Sequence, residues 1–163
     1  MIYSYTNNCK QASQDDIFNK LGFVISVMNQ CNLHSNLRII NIKKWMFQPI
    51  IQNQISLLEN SWGEPVSYYC WAYLDINSVR RMLEDPSYVL HPSEWDEGNI
   101  LWIIDICTHS NYLRPTLREI SHRFQDYFDI LYWESHSCKK NRIGFYNFST
   151  HRIDYCGIDE VLT

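Results

Sequence analysis

The sequence predicts an α/β domain, a central mixed β-sheet flanked by helices, and three observations lead there. Stripes of helical period come first. Two β-prone runs then meet at a short Gly/Pro break, and a nearly continuous apolar run is followed by another helix and more strands. The chain has 163 residues, 45% of them hydrophobic and 15% aromatic, with five Gly and five Pro. That profile excludes disorder, collagen and a disulfide-stapled miniprotein, and it predicts one well-filled domain over residues 1–163.

Asp15 and Asp16 open a first helix with Ile17, Leu21, Val24 and Met28 at helical spacing, ending near Asn29 to Asn32. Residues 39–52 place Ile39, Ile42, Met46, Pro49 and Ile50 on one side, with Pro49 expected to kink the helix or end it early. The clearest hairpin joins residues 54–60 and 66–74 across Ser61-Trp-Gly-Glu-Pro65. A short helix is expected from Asn77 to Glu84. The apolar run Ile100 to Cys107 suits a strand buried on both faces, with Asp105 as its one charge. A last helix spans Leu113 to Phe128 with Leu117, Ile120, Phe124 and Phe128 on one stripe, and strands follow at 130–134 and 143–148.

Fourteen basic and 18 acidic residues give a formal charge of −4, which offers no general attraction for nucleic acid or an anionic membrane. The charge is uneven. Asp75 to Asp105 holds two basic and seven acidic residues, whereas Ile106 to Arg152 holds seven basic and four acidic. Arg114, Arg118, Arg123, Lys139, Lys140 and Arg142 could thus meet an acidic protein, although a solvated face is the commoner meaning of such charges. Neither a signal-peptide pattern nor a run of about 18 apolar residues is present, so the chain is expected in the cytoplasm without stable membrane insertion. Cys9, Cys31, Cys70, Cys107, Cys138 and Cys156 are then expected to be reduced, mostly as small buried hydrophobes.

Asp105 is the most informative single residue. A carboxylate within an apolar strand must find a cation or hydrogen-bond donors, because an isolated buried charge costs several kcal/mol. A His or an Arg is the expected partner, and a purely structural ion pair is an equal contender. His34 lies in the polar turn after the first helix, where an imidazole titrating near neutrality can act as a general base; a surface His is the commoner reading. Cys31-x-x-His34, Cys107-x-His109 and His136-x-Cys138 are isolated half-signals, so no metal site is expected. G-x-G-x-x-G, the P-loop and G-x-S-x-G are all missing, which removes the usual nucleotide-cradling loops and the hydrolase elbow.

Four segments in chain order nevertheless resemble one family. Leu21-Gly22 with the helix leading to Leu33-His34 is similar to a family helix and its S-P-L-H turn. Pro49-x-x-x-Asn53-Gln54 resembles a P-x-x-x-x-Q segment, and Pro65-Val-Ser-Tyr-Tyr-Cys-Trp-Ala72 a strand reading P-V-A-Y-C-S-W-A. Most specific is Trp95-x-x-Gly98-x-x-x-Trp102-Ile-Ile-Asp105, which is similar to W-x-x-G-x-x-x-W-[FI]-I-D. These are motifs of the RTX toxin-activating lysine acyltransferases. The chain departs from them at Cys31, Asn32 and Leu37 around the His turn, and after Asp105, where Ile106-Cys-Thr-His-Ser110 replaces W-[IV]-A-P-[FY]-G.

The resemblance implies a GNAT-like fold, usually dimeric. It implies transfer of a fatty acyl group from acyl carrier protein to internal lysines of an RTX protoxin, with no further cofactor. His34 and Asp105 become the catalytic pair, and Cys31, Trp71 and Trp102 the substrate-binding positions. Either His34 or Cys31 could instead carry an acyl-enzyme. The contrasting reading is an inactive GNAT-like adaptor that binds acyl carrier protein or toxin without turnover.

Overall fold

A computed structural model describes residues 3–5, 13–31, 39–85, 87–134 and 143–161. Strand β1 is Tyr3–Tyr5; helices α1 (Gln14–Asn29) and α2 (Ile39–Ile51) precede the hairpin β2 (Ile55–Glu59) and β3 (Pro65–Leu74). Helix α3 (Ile76–Glu84) and a 3₁₀ turn at Pro92–Trp95 lead to β4 (Ile100–Thr108), and a second 3₁₀ turn, Ser110–Tyr112, to α4 (Leu113–Phe124). Strands β5 (Ile130–Glu134), β6 (Ile143–Asn147) and β7 (Arg152–Cys156) and the short helix α5 (Ile158–Val161) complete the order. One seven-stranded sheet runs β1 to β7 in sequence order. It is mixed: β4 and β5 are parallel, with Trp102 opposite Tyr132, whereas β1/β2, β2/β3, β5/β6 and β6/β7 are antiparallel. By its internal contacts the chain forms two compact units, 1–70 with 105–120 and 71–104 with 121–163.

In the first unit, Ser13 caps α1 by accepting the Asp16 N–H at 3.2 Å, and Asp15 and Asp16 put negative charge at the helix's positive end. Val24, Val27 and Met28 form its buried face. Lys20 is also buried there, and its ammonium is matched by Asp16 at 2.9 Å and the Asn53 side-chain oxygen at 2.8 Å, as a buried cation requires. Asn53 has φ 56°, a left-handed residue that ends α2, and the next N–H, of Gln54, reaches the Pro49 carbonyl at 2.8 Å. Pro49 therefore belongs to the helix terminus instead of cutting the helix short. Register Ile55–Cys70 and Leu57–Tyr68 sets the hairpin. At its tip the Asn60 side-chain oxygen accepts the N–H groups of Trp62 (2.9 Å) and Glu64 (3.0 Å), and Gly63 supplies the φ of 76° that the turn needs.

The second unit is built around Ala72, Leu74, Val79, Leu90, Trp95, Trp102, Ile143 and Cys156, all buried. Asp75 caps α3 through the Asn77 N–H at 2.8 Å. Gly98 follows the 3₁₀ turn, and its N–H reaches the Tyr73 carbonyl at 2.9 Å; a Cβ there would lie 2.0 Å from the Leu74 carbonyl oxygen, so only glycine fits. Glu94 is buried and collects donors: the Tyr88 hydroxyl and the His91 N–H at 2.6 Å, and the Arg81 guanidinium at 2.6 Å.

Burial works to raise the Glu94 pKa, but the bonds from Tyr88 and His91 and the Arg81 charge outweigh it and hold the carboxyl below its usual value. A group depressed in the fold contributes stability above its unfolded pKa, near ~4.3, and loses it as pH falls through the folded value. Glu94→Gln is therefore expected to lower the melting temperature at pH 7 and to flatten its further fall on acidification. Melting curves from about pH 6 to about pH 3 read this out, and parallel declines in both proteins would refute it.

Several sequence expectations change. Strands β1 and β7 and helix α5 had no signal strong enough to predict them. Helix α4 stops at Phe124, and a turn over Gln125–Tyr127 carries Phe128 onto the stripe. Leu117 is 45% exposed, and the buried stripe is Thr116, Ile120 and Phe124. Strand β4 is buried at Leu101–Ile103 and again at Cys107, and Ile104, Asp105 and Ile106 between them are half-buried.

Candidate active site

The half-buried stretch of β4 brings a carboxylate to a place that solvent can reach. Asp105 Oδ2 accepts the Tyr68 hydroxyl at 2.7 Å. Tyr68 has no exposed surface, and burial, reinforced by the Asp105 charge, raises its pKa well above the usual phenol value. The phenol therefore stays a proton donor at any working pH, and it fixes one carboxylate oxygen. Two positions along β3, Cys70 is also fully buried; burial and then the Asp105 charge push its thiol pKa up, so it is an unreactive thiol. Where the sequence led to a His or an Arg, the hydrogen-bond partner described for Asp105 is a tyrosine.

Backbone and hydroxyl contacts fix the strand beyond Asp105. The His109 N–H reaches the Val66 carbonyl at 3.2 Å, and Ser67 Oγ donates to the Cys107 carbonyl at 3.2 Å. Thr116 Oγ1 lies 2.9 Å from Ser67 Oγ and 2.7 Å from the Tyr112 carbonyl. Glu119 of α4 accepts the Tyr69 hydroxyl. Alternation along β3 explains the division of labour. Tyr68 and Cys70 point to the Asp105 side, while Ser67 and Tyr69 take the α4 side. None of these tyrosine roles was singled out from the sequence. The signal was there in a buried strand with two adjacent tyrosines, each of whose hydroxyls must find a partner.

His34 lies outside the described residues. Cys31 follows α1, with its N–H on the Met28 carbonyl at 3.0 Å and its half-buried side chain in no disulfide. Trp71 is buried against Phe124, with Arg123 stacked over its ring. Trp102 is 1% exposed and stacks on Tyr132 inside the core of the second unit. That is a packing position, so the expectation that Trp102 touches substrate gives way to a structural role. Arg114 and Arg118 are exposed and Arg123 is half-buried, whereas Lys139, Lys140 and Arg142 fall outside the described residues. Among the described residues, no three His, Cys, Asp or Glu side chains cluster as a metal would need, and no helix is long and apolar enough to cross a membrane.

A strand-borne carboxylate held by a buried phenol is an arrangement able to orient an imidazole, and comparison with known proteins assigns the class. The chain belongs to the RTX toxin acyltransferase family, whose profile matches residues 13–146. It is 32% identical over 88 residues to the RTX-II toxin-activating lysine-acyltransferase ApxIIC of Actinobacillus pleuropneumoniae, a match covering 54% of each chain. Over 116 residues it is 25% identical to the leukotoxin-activating lysine-acyltransferase LktC serotype A1 of Mannheimia haemolytica, covering 67% of this chain and 64% of that protein. The matches thus span about half to two thirds of these curated relatives' lengths. Among solved structures, a histone acetyltransferase HPA2 and related acetyltransferase from Corynebacterium glutamicum is similar at 16% identity and a TM-score of 0.42, over 78% of this chain and 76% of that one.

Proposed function

We propose that the chain is a protein-lysine acyltransferase that moves a fatty acyl group from acyl carrier protein to internal lysines of an RTX protoxin, in the cytoplasm and as a homodimer. Family membership supports the reaction class, and the observation that carries the site is the Asp105 carboxylate, half-buried on β4 and steadied by Tyr68. At neutral pH fewer than about one lysine in a thousand has the lone pair needed to attack a thioester. His34 takes that proton and Asp105 stabilises the resulting imidazolium. The lysine nitrogen then bonds to the acyl carbon, and the tetrahedral intermediate collapses to an amide as the C–S bond breaks. The carrier's sulfur, whose thiol pKa is about 8.5, leaves as a thiolate without needing a strong acid and takes up the second proton that the lysine nitrogen sheds as the amide forms.

The sheet's last strand supports the dimer. β7 exposes Ile153 (58%) and Tyr155 (44%). Antiparallel pairing of two copies about Ile153 would set Arg152 of one protomer opposite Asp154 of the other, a matched cross-strand pair.

Incubating the purified chain with acyl-loaded carrier protein and a protoxin, followed by intact-mass measurement, tests the reading. The protoxin is expected to gain one acyl mass for each modified lysine, and sedimentation velocity to show a dimer. A protoxin that is bound but unchanged in mass would mark the chain as an adaptor, and a monomer throughout would remove the β7 pairing.

A further inference from the structure

Trp62 stands at the tip of the β2/β3 hairpin, and among the described residues no large hydrophobic is more exposed, at 82%. The turn that carries it is firmly built. Asn60 is buried; its side-chain oxygen takes the N–H groups of Trp62 and Glu64, its amide donates to Glu64 Oε2 at 2.6 Å, and its own N–H reaches the Glu64 carbonyl at 3.0 Å. A tryptophan carried on so fixed a turn surrenders little freedom when it is covered, which suits an anchor for a partner. The tip is also acidic. Residues 45–79 contain no Lys, Arg or His, and Glu59 and Glu64, on either side of Trp62 in the chain, form no ion pair with a described residue.

The tip lies toward the end of β3 that meets Asp105. Tyr68 meets Asp105 itself, Ser67 the Cys107 carbonyl and Val66 the His109 N–H, so the last residues of β4 run back toward the hairpin tip. From Tyr68 to Pro65 is three residues of strand, about 10 Å at ~3.3 Å each. An extended peptide with one lysine at Asp105 therefore brings a residue about three to five positions away to Trp62. Tryptophan offers the best ring face for a cation, and the Glu64 charge adds to that attraction, whereas an anionic membrane or an acidic protein is repelled by the same carboxylates. Resting on the acyl-transfer reading, we infer that this hairpin tip selects a basic acceptor segment: it holds a second Lys or Arg about three to five residues from the lysine that is acylated, with Trp62 over the cation and Glu64 beside it.

NMR titration of the full chain, labelled at its indole nitrogens, reads this without acyl transfer. The chain has six tryptophans, and the Trp62 signal is the one missing from Trp62→Phe. Capped, dye-labelled Gly/Ser peptides carry one lysine and, about four positions on, lysine, norleucine or glutamate. The dilysine peptide is expected to move the Trp62 signal and to bind about fivefold more tightly than the norleucine peptide, with the glutamate peptide weaker than both. Glu64→Gln can still accept the Asn60 amide, so the turn holds while its charge goes, and the preference should fall to about twofold. Read by peptide anisotropy, Trp62→Leu should do the same, the double variant should reach about one, and Trp62→Phe, which keeps a ring face, should retain most of it. Equal binding of the dilysine and norleucine peptides, a preference unchanged in both single variants, or a Trp62 signal that stays still up to about 10 mM peptide would each overturn the inference. So would a signal that answers only to phosphatidylcholine vesicles, marking a membrane contact, or only to protein concentration, marking a contact between copies. With acyl-loaded carrier protein added, equal acylation of the dilysine and norleucine peptides would overturn it too. Acylation of no peptide, beside an intact lysine preference, would instead refute the proposed reaction and keep the tip as a lysine-binding site.

Discussion

His34→Ala is expected to lower lysine acylation by about 10²–10⁴-fold while leaving the melting temperature nearly unchanged. The proposed chemistry has one base, and without it the attacking amine must wait for the rare neutral form of lysine. Raising the pH should partly rescue the variant, because each unit of pH below the lysine pKa increases the neutral fraction about tenfold. A rate that climbs with pH in His34→Ala, beside a flatter profile in the native chain, would identify the imidazole as the lost base. Full activity in the variant would end the assignment.

The second large effect is expected at Asp105. Asp105→Asn keeps the shape and can still meet an imidazole N–H, but it cannot stabilise the imidazolium, and a loss of up to about 10⁴-fold in rate follows. Tyr68→Phe separates holding from catalysing. It removes the hydroxyl that donates to Oδ2 at 2.7 Å, so it should cost about 1 kcal/mol of stability. The rate should fall far less than in Asp105→Asn, because the negative charge remains. Comparing acylation rates and melting temperatures of the two variants distinguishes the roles. An Asp105→Asn protein that is destabilised yet active would return the carboxylate to a purely structural place beside Tyr68.

Period and punctuation made much of this fold legible. Asp15 and Asp16 announced α1, and Ser61 to Pro65 announced a hairpin whose strands the structure places at 55–59 and 65–74. β7 was missed because Arg152 to Tyr155 are all exposed, and without a buried face a strand leaves no apolar alternation to read. The expected length of α4 was too great because Phe128 continues the helical spacing, yet it reaches its place through a turn after Phe124. At the candidate site, Asp105 stood out as a charge in an apolar strand. Tyr68 did not, since a tyrosine 37 positions away gives no local sign of the hydrogen bond it makes. Trp102 misled for the opposite reason: a tryptophan in a specific motif suggests contact with substrate, but this one fills the core.

The motif running from Trp95 through Gly98 to Trp102 has a consequence of its own. Trp95 and Trp102 are each 1% exposed in one core, and Gly98 is demanded by the Leu74 carbonyl beside it. All three residues answer to packing, so a descendant that had lost its base would keep the same signature for as long as it kept its fold. Family membership rests on the profile match over residues 13–146, which includes this motif, whereas the proposed chemistry rests on a different pair, His34 and Asp105. A survey of such chains that scores those two positions separately would sort working enzymes from silent copies before any is purified.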